Sequence, residues 1–416
     1  MKRLIITTLT CLCLLSGVYA QEQSAPDSIV KKEKQHREAN KFLKKFTFSG
    51  YIQAQYQWGQ KDATLNVGSP NNDDENSFSR IGIRRGRIKL TFEEKLATAA
   101  FQVDITEMGI SLKEAYMNIK DPWIGTNSIT LGVFNRPFGE EIKYSSALRE
   151  SPEHSTIFRT LFPAESDLGA MLTLQAPKTA SWHFLKLEAG IFSGNGIMSQ
   201  KYSRMDFIGQ LSAEKKWENI EVKGGVSYYN GGVYQWRTVY TMDGKGFYAN
   251  NDDANYGKFA KREYFGFNGL FGITSVLGKT CLKGEYIFGT QPGDYTSSVS
   301  LNSGGFILRE LFIRNFSGLY VSLAQGLGNL PVTAIIKYEF YDPNTKIAGN
   351  DIGANFTGKG DIAYNSYGFG LVWDIYSYLR LQTYYQINRN ETSDNLYGYH
   401  KDREDDVFTF RLQYKF

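Results

Sequence analysis

Residue types that build common kinds of active site are scarce in this 416-residue chain. It has three cysteines and four histidines, and the histidines lie far apart, at His36, His154, His183 and His400. That spacing is not typical of metal ligands. Cys281 is the only cysteine after residue 20, so no internal disulfide is expected. The sequence therefore predicts no metal site, no cofactor and no catalytic residue.

A dominant charge and long apolar runs are also missing. There are 47 Lys and Arg against 43 Asp and Glu, and a net charge of +4 does not favour a nucleic-acid partner. After residue 20, no apolar run reaches the ~20 residues that a membrane helix needs. What is abundant is aromatic residues and glycine, with 27 Tyr, 28 Phe, 6 Trp and 41 Gly. This composition favours strands over helices.

The N-terminus has the pattern of an export signal. Lys2 and Arg3 precede a short apolar run, and Ala20 is a small residue at the expected cleavage point. We expect residues 1–20 to be a secretory signal peptide. Residues 21–45 are polar and predict a tail, or a short helix that could self-associate.

From residue 46 onward, apolar and polar residues alternate. The last segment is the clearest case, because its apolar and aromatic residues all fall on one face of a strand: Phe408, Phe410, Leu412, Tyr414 and Phe416. The opposite face is mostly polar and carries Arg411. The same alternation recurs over residues 88–92, 185–191 and 334–340. A period of two is typical of strands with two different faces.

In water, so many apolar faces would need a second layer to cover them, and the sequence has no amphipathic helices long enough for that. In lipid those faces are satisfied, provided that the sheet closes and leaves no free edge. Residues 46–416 therefore predict an all-β fold, a closed antiparallel transmembrane barrel with long extracellular loops and short periplasmic turns. Long and short connections alternate if both termini are periplasmic. We expect about 16 strands, with residues 306–313 taken as loop, and 18 as the alternative.

Several motifs, in order along the chain, resemble the phosphate-selective porins O and P. They are Arg84-Arg85-Gly86-Arg87-Ile88, the segment Leu131–Glu140, the segment Gly190–Gly196 and the terminal Phe416. The resemblance implies a trimeric, water-filled barrel in the outer membrane whose third loop folds into the lumen and narrows it. It also implies that lumenal arginines and lysines pass anions, phosphate in particular.

The terminal aromatic strand is general to outer-membrane barrels. There it looks like the signal that the barrel insertion machinery reads. By this resemblance the signal comprises Phe408, Phe410, Tyr414 and Phe416.

The second strand carries the candidate pore-lining and anion-binding residues Arg84, Arg85, Arg87 and Lys89. The last three share one parity, opposite to apolar neighbours. A lipid-facing arginine would cost ~2–4 kcal/mol at the membrane midplane, so this face is expected to line the lumen. Arg84 is nearer the strand start and could lie at the rim. Guanidinium groups in a row can bind phosphate oxygens through paired donors.

The alternative is that these cations pair with Asp104, Glu114 or loop carboxylates and only stiffen the wall.

Residues 136–166 form the candidate constriction loop. Its basic residues are Arg136, Lys143, Arg149 and Arg159, and its acidic residues are Glu140, Glu141, Glu150, Glu153 and Glu165. Mixed charge across a constriction favours passage of small polar solutes over strong selection of phosphate. The alternative is a loop that acts only as a lid.

The sequence therefore favours an outer-membrane porin for passive diffusion of small solutes, with anions such as phosphate among them. The expected partners are membrane lipid, two further copies of the chain and the insertion machinery. Two other classes remain open. A barrel enzyme would need a Ser, His and acid cluster at one rim. A secreted β-sandwich that binds polysaccharide would be soluble without detergent.

Overall fold

The computed structural model describes residues 41–72, 76–198, 202–301 and 310–416. The predicted signal peptide and nearly all of the predicted tail lie outside these ranges. The chain divides into two units at Phe46. Of the first unit only a short helical turn and the residues after it are described. The second unit holds nearly all of the β-structure.

The described residues contain eighteen strands. They are β1 (Phe46–Gln60), β2 (Ser77–Glu94), β3 (Ala97–Thr106), β4 (Gly109–Lys120), β5 (Ser128–Asn135), β6 (Ser166–Gln175), β7 (Leu185–Phe192), β8 (Asp206–Lys216), β9 (Ile220–Tyr234), β10 (Thr238–Asp243), β11 (Gly246–Asn251), β12 (Phe259–Ser275), β13 (Gly278–Gly293), β14 (Leu311–Gly326), β15 (Val332–Asp342), β16 (Tyr364–Tyr376), β17 (Leu379–Asn390) and β18 (Val407–Lys415).

Sixteen of these strands form the wall of a closed barrel. The last strand pairs with the first in antiparallel register, from Tyr51 opposite Lys415 to Gly59 opposite Val407. β9 pairs directly with β12, so β10 and β11 lie outside the wall as a separate hairpin. Each wall strand then has a neighbour on both sides. The predicted closed antiparallel barrel is confirmed, with 16 strands in the wall and two more in a loop.

The period-two pattern separates the two faces of this wall. On β18, Phe410 and Leu412 are about 40% exposed on the outside, whereas Arg411 between them is 2% exposed. On β15, Ile336 is 55% exposed and Lys337 is 3% exposed. The outer surface is thus apolar and the polar side chains point into the barrel. This is the arrangement that lipid on the outside requires.

Long loops lie at one end of the barrel and short turns at the other. One connection on the loop side departs from this rule, since only Glu107 and Met108 join β3 to β4. Gly109 follows with a φ of 123°, a backbone conformation that glycine adopts without a steric cost. The alternation of apolar and polar residues did not predict so tight a hairpin. Residues 306–309 lie outside the described residues. The expectation of loop over 306–313 is wrong for Leu311–Ile313, which begin β14 and pair in part with β13, yet they lengthen a wall strand and add none to the 16.

The extra hairpin helps to build the loop end. β10 pairs in parallel with the first residues of β14, from Val239 opposite Leu311 to Thr241 opposite Ile313. The ring of Tyr240 stacks on that of Phe312 with 4.3 Å between centroids. The first residues of β14 thus pair with β10 as well as with β13, while β10 and β11 stay outside the wall.

One short α-helix, α1 (Thr156–Leu161), lies in the connection between β5 and β6. Among the described residues, no helix is both long enough and apolar enough to cross a bilayer.

Candidate functional site

The connection between β5 and β6, residues 136–165, is called the inner loop because it contacts inward-facing side chains of many wall strands. The amide of Gly139 donates to Ser227 on β9 at 3.0 Å. The carbonyl of Pro152 accepts from Arg411 on β18 at 2.7 Å. Since β9 and β18 lie half a circuit apart in the wall, the inner loop crosses the lumen.

One side of the inner loop is apolar and packs on the wall. Its buried side chains are Phe138, Ile142, Ile157, Phe158, Leu161 and Phe162, three of them from α1. They meet wall residues that are also buried, among them Ile208, Tyr229, Tyr264, Ile287, Phe316 and Tyr320. The Phe138 and Phe162 rings lie 5.1 Å apart. This cluster fills one side of the lumen with a hydrophobic core, which fixes the loop in place.

Next to this core, a wall carboxylate holds the start of the loop. The amides of Glu140 and Glu141 donate to Glu285 at 2.9 and 2.7 Å. The hydroxyl of Tyr320 donates to the same carboxylate at 2.8 Å. A buried carboxylate with three donors is well satisfied, and the turn it holds directs Glu141 toward the polar side of the lumen.

Glu141 lies where the inner loop faces β15. Lys337 donates to it at 3.2 Å, and the amide and hydroxyl of Ser155 also donate. Burial alone would raise the pKa of Glu141, but the nearby charges of Lys337, His154 and Arg149 outweigh it and bring this pKa to about 2. Glu141 is therefore ionised at any physiological pH.

Glu153 is surrounded by arginines from two strands. Arg84 binds both carboxylate oxygens, at 2.9 and 2.8 Å. Arg85 and Arg411 each approach to 2.7 Å, and both of these arginine side chains are 3% exposed. Burial raises the pKa of Glu153, yet the three guanidinium groups hold it well below its usual range. Adjacent residues Arg84 and Arg85 reach the same carboxylate, so strict alternation is interrupted here.

The other predicted pore-lining cations are paired as well. Arg87 lies 3.4 Å from Asp104 and 3.6 Å from Glu165. Lys89 lies 2.6 Å from Glu114. These are the pairings that the alternative interpretation of the sequence named, together with a loop carboxylate. The row on β2 is therefore inside the barrel but largely neutralised by its neighbours.

The predicted constriction residues take different positions. Arg136 binds Asp167 at 3.0 Å at the base of the loop. Lys143 reaches Glu188 on β7 at 3.0 Å. Buried Arg149 lies 2.7 Å from a ring nitrogen of His154, whereas Arg159 is exposed. Glu140 and Glu141 face the lower cavity described next.

Two cavities lie on the polar side of the inner loop and share one residue, Ser151. The upper cavity, about 210 Å³, opens toward the long loops and is bordered by Asn66, Tyr384 and Asp405. The lower cavity, about 320 Å³, opens toward the short turns. The inner loop thus lies between the two cavities at Ser151.

Charges of both signs line the lower cavity. Its acidic residues are Glu140, Glu141, Glu150, Glu221 and Asp374, and its basic residues are Arg149, Lys223, Lys279, Lys283, Lys337 and Arg380. Several form close pairs, such as Lys283 with Glu150 at 2.6 Å. Cys281 borders the same cavity as a free thiol. In the parts of the chain that the structure describes, no group of three or more His, Cys, Asp or Glu residues could hold a metal ion.

Sequence reasoning named Glu153 only as one of five acidic residues of the loop and did not propose Lys337 or Arg411 as site residues. The last two were visible as polar members of alternating segments, so parity could have placed them inside the barrel. Glu153 had no such signal, because the position of a loop residue depends on how the whole loop crosses the lumen.

No protein-family model and no curated protein matches the chain. Solved structures do match it. OmpT, an outer membrane protein of Vibrio cholerae in a trimer form, has a TM-score of 0.52 at 10% identity and covers 89% of this chain and 99% of its own. The outer membrane channel DcaP of Acinetobacter baumannii has a TM-score of 0.56 at 11% identity, covering 89% and 97%. OmpF of Salmonella typhi, in complex with daunomycin, has a TM-score of 0.53 at 11% identity, also covering 89% and 97%.

At such low identity the likeness establishes the fold. This chain shares the closed-barrel architecture of these outer-membrane proteins. Together with the apolar outer surface of its wall, that architecture places the protein in the bacterial outer membrane.

Proposed function

We propose that the protein is an outer-membrane porin that lets small polar solutes diffuse passively through its lumen. The observation that carries this proposal is the pair of cavities above and below the inner loop, which are bordered by charged side chains and share Ser151. The apolar core on the other side of the loop closes that part of the lumen. Strands β15, β16 and β17 border both cavities, so the proposed path runs along these strands past the inner loop.

The charges along this path favour polar solutes in general. Arg85, Arg87 and Lys89 are paired with carboxylates, so the β2 row does not present a series of free cations to phosphate. The lower cavity is bordered instead by contacting ion pairs, such as Lys283 with Glu150 and Arg380 with Asp374. A lining of paired charges offers polar contacts of both signs and favours small dipolar or singly charged solutes. Phosphate and other anions would pass as members of this class, without strong selection.

The same proposal indicates which molecules the barrel contacts in the membrane. The outward aromatic residues of the last strand, Phe410, Tyr414 and Phe416, are 40–50% exposed and would contact lipid or the insertion machinery. The trimer form of one structural relative supports a homotrimer here. The barrel enzyme and the polysaccharide-binding sandwich have no specific observation in their favour.

Liposome swelling tests the proposed function. Vesicles that contain the purified protein should swell rapidly in isosmotic glycine or a monosaccharide and much more slowly in a tetrasaccharide, because the inner loop and its apolar core fill part of the lumen. Protein-free vesicles are the control. Equal swelling rates with and without protein for the smallest solute would contradict the proposal.

A further inference from the structure

We infer that Glu153 is a selectivity-determining residue, an internal anion that occupies a three-arginine site and keeps it closed to anions in solution. The inference rests on the proposed porin function. It identifies Glu153 as the residue that limits the preference of the channel for anions. The chemical class that the site would otherwise take is a small oxyanion, a carboxylate or phosphate.

The first argument is the geometry of the site. The Glu153 carboxylate receives a two-pronged contact from Arg84 and single close contacts from Arg85 and Arg411. Converging guanidinium groups with this reach are the arrangement that binds planar or tetrahedral oxyanions best. In this structure the chain supplies that oxyanion itself.

The second argument is charge balance. Three cations share one carboxylate at this point, whereas Lys89 is matched to Glu114 alone. The site around Glu153 thus retains positive charge even when it is filled. Removing the Glu153 carboxylate would leave three arginines without a counterion, two of them buried, and a buried unpaired cation attracts an anion strongly.

The third argument is position. Glu153 borders the upper cavity, but Arg84, Arg85 and Arg411 do not. The Glu153 side chain is 12% exposed, whereas those of Arg85 and Arg411 are 3% exposed. Solutes that enter from the loop end therefore meet the carboxylate before these two guanidinium groups, with the partly exposed Arg84 beside it. A solute anion must compete with a ligand that is tethered in place, and tethering raises its effective concentration far above that of a free anion.

The inner loop gives this arrangement its rigidity. The carbonyl of Pro152 accepts from Arg411, and the hydroxyl of Ser151 donates to the Glu153 carbonyl at 3.0 Å. Both hydrogen bonds hold the loop backbone through carbonyl groups, and neither involves the Glu153 carboxylate. A change confined to the carboxylate can therefore expose the arginines without releasing the rest of the loop.

Planar bilayers with Glu153→Gln test the inference. Chloride current is recorded while inorganic phosphate is added, and reversal potentials are taken under a salt gradient. The variant should shift the reversal potential toward the anion side. It should also lower the phosphate concentration that halves the chloride current by roughly tenfold or more relative to the unchanged protein.

Glu150→Gln is the matched control, because it removes the same charge from the same loop. Its partner is a single lysine, so it should shift the reversal potential slightly and change the half-inhibiting phosphate concentration less than twofold. Equal effects of the two variants on phosphate inhibition would overturn the inference. So would a Glu153→Gln channel that phosphate inhibits no better than the unchanged one.

Should Glu153→Gln not fold, Glu153→Asp keeps the charge and retracts the carboxylate by one methylene. It should give a severalfold lower half-inhibiting concentration, and no change would again overturn the inference. Absence of any current from the unchanged protein would instead contradict the proposed function, so the two failures can be told apart.

Discussion

The two sides of the inner loop differ as a protein core differs from a binding cleft. On one side, rings such as Phe138 and Phe158, both at most 2% exposed, interlock with aromatic residues of the wall. On the other, Glu141 and Glu153 meet lysine and arginine side chains beside two cavities. The comparison shows how one loop can be anchored firmly and still border the proposed solute path, because its apolar face packs on the wall and its polar face borders the cavities.

The largest effect should come from the apolar side. Replacing Phe158 by Ala removes a ring packed between Phe162 and Tyr320 and leaves a cavity, so we expect the free energy of unfolding to fall by about 3–5 kcal/mol. Denaturant unfolding in detergent micelles, followed by tryptophan fluorescence, measures this.

Phe267→Ala is the control for that prediction, since Phe267 is 51% exposed on the outer face. This change also removes a phenyl ring but opens no internal cavity, so we expect a clearly smaller decrease in the free energy of unfolding. Similar losses for the two variants would contradict the distinction between an apolar core inside the barrel and a lipid-facing surface outside it.

A somewhat smaller effect should come from acid on the polar side. The pKa of Glu141 is about 2, below its ordinary value of 4.5, so the folded state binds the proton less readily than the unfolded state. The stabilisation is therefore fully present above pH 4.5 and is lost as pH falls toward 2. For Glu141 alone it is worth roughly 3 kcal/mol.

Unfolding midpoints between pH 6 and pH 2 test this pH dependence. The unchanged protein should lose stability below pH 4.5, and Glu141→Gln should lose less over the same range because it lacks the titrating group. Parallel pH profiles for the two proteins would show that the carboxylates on the polar side do not hold the loop.

The alternation of apolar and polar residues predicted the wall strands and their two faces well, and it predicted the loops less well. Arg411 lies between the outward-facing Phe410 and Leu412, and a strand has only two faces, so its side chain is predicted to point into the barrel. The separate hairpin β10–β11 and the two-residue connection at Glu107 could not be predicted this way. The position of the hairpin depends on contacts with distant parts of the chain, such as that between Tyr240 and Phe312. The tight connection depends on the backbone conformation of a single glycine, Gly109, which alternation does not report.

For the candidate site, the sequence predicted which charged groups would lie near each other and not how they would pair. It proposed Arg84, Arg85, Arg87 and Lys89 as an anion-binding row, and it also named the alternative of carboxylate partners. Which carboxylate meets which cation depends on the path of the inner loop across the lumen, and local residue patterns do not determine that path.

Current through a planar lipid bilayer tests the central claim most directly, that an apolar-surfaced barrel encloses a water-filled path beside the inner loop. Purified, folded protein should produce steady stepwise increases in conductance in potassium chloride, in groups of three steps if it inserts as a trimer. Folded protein that enters the bilayer and leaves the conductance at its protein-free level would contradict the claim.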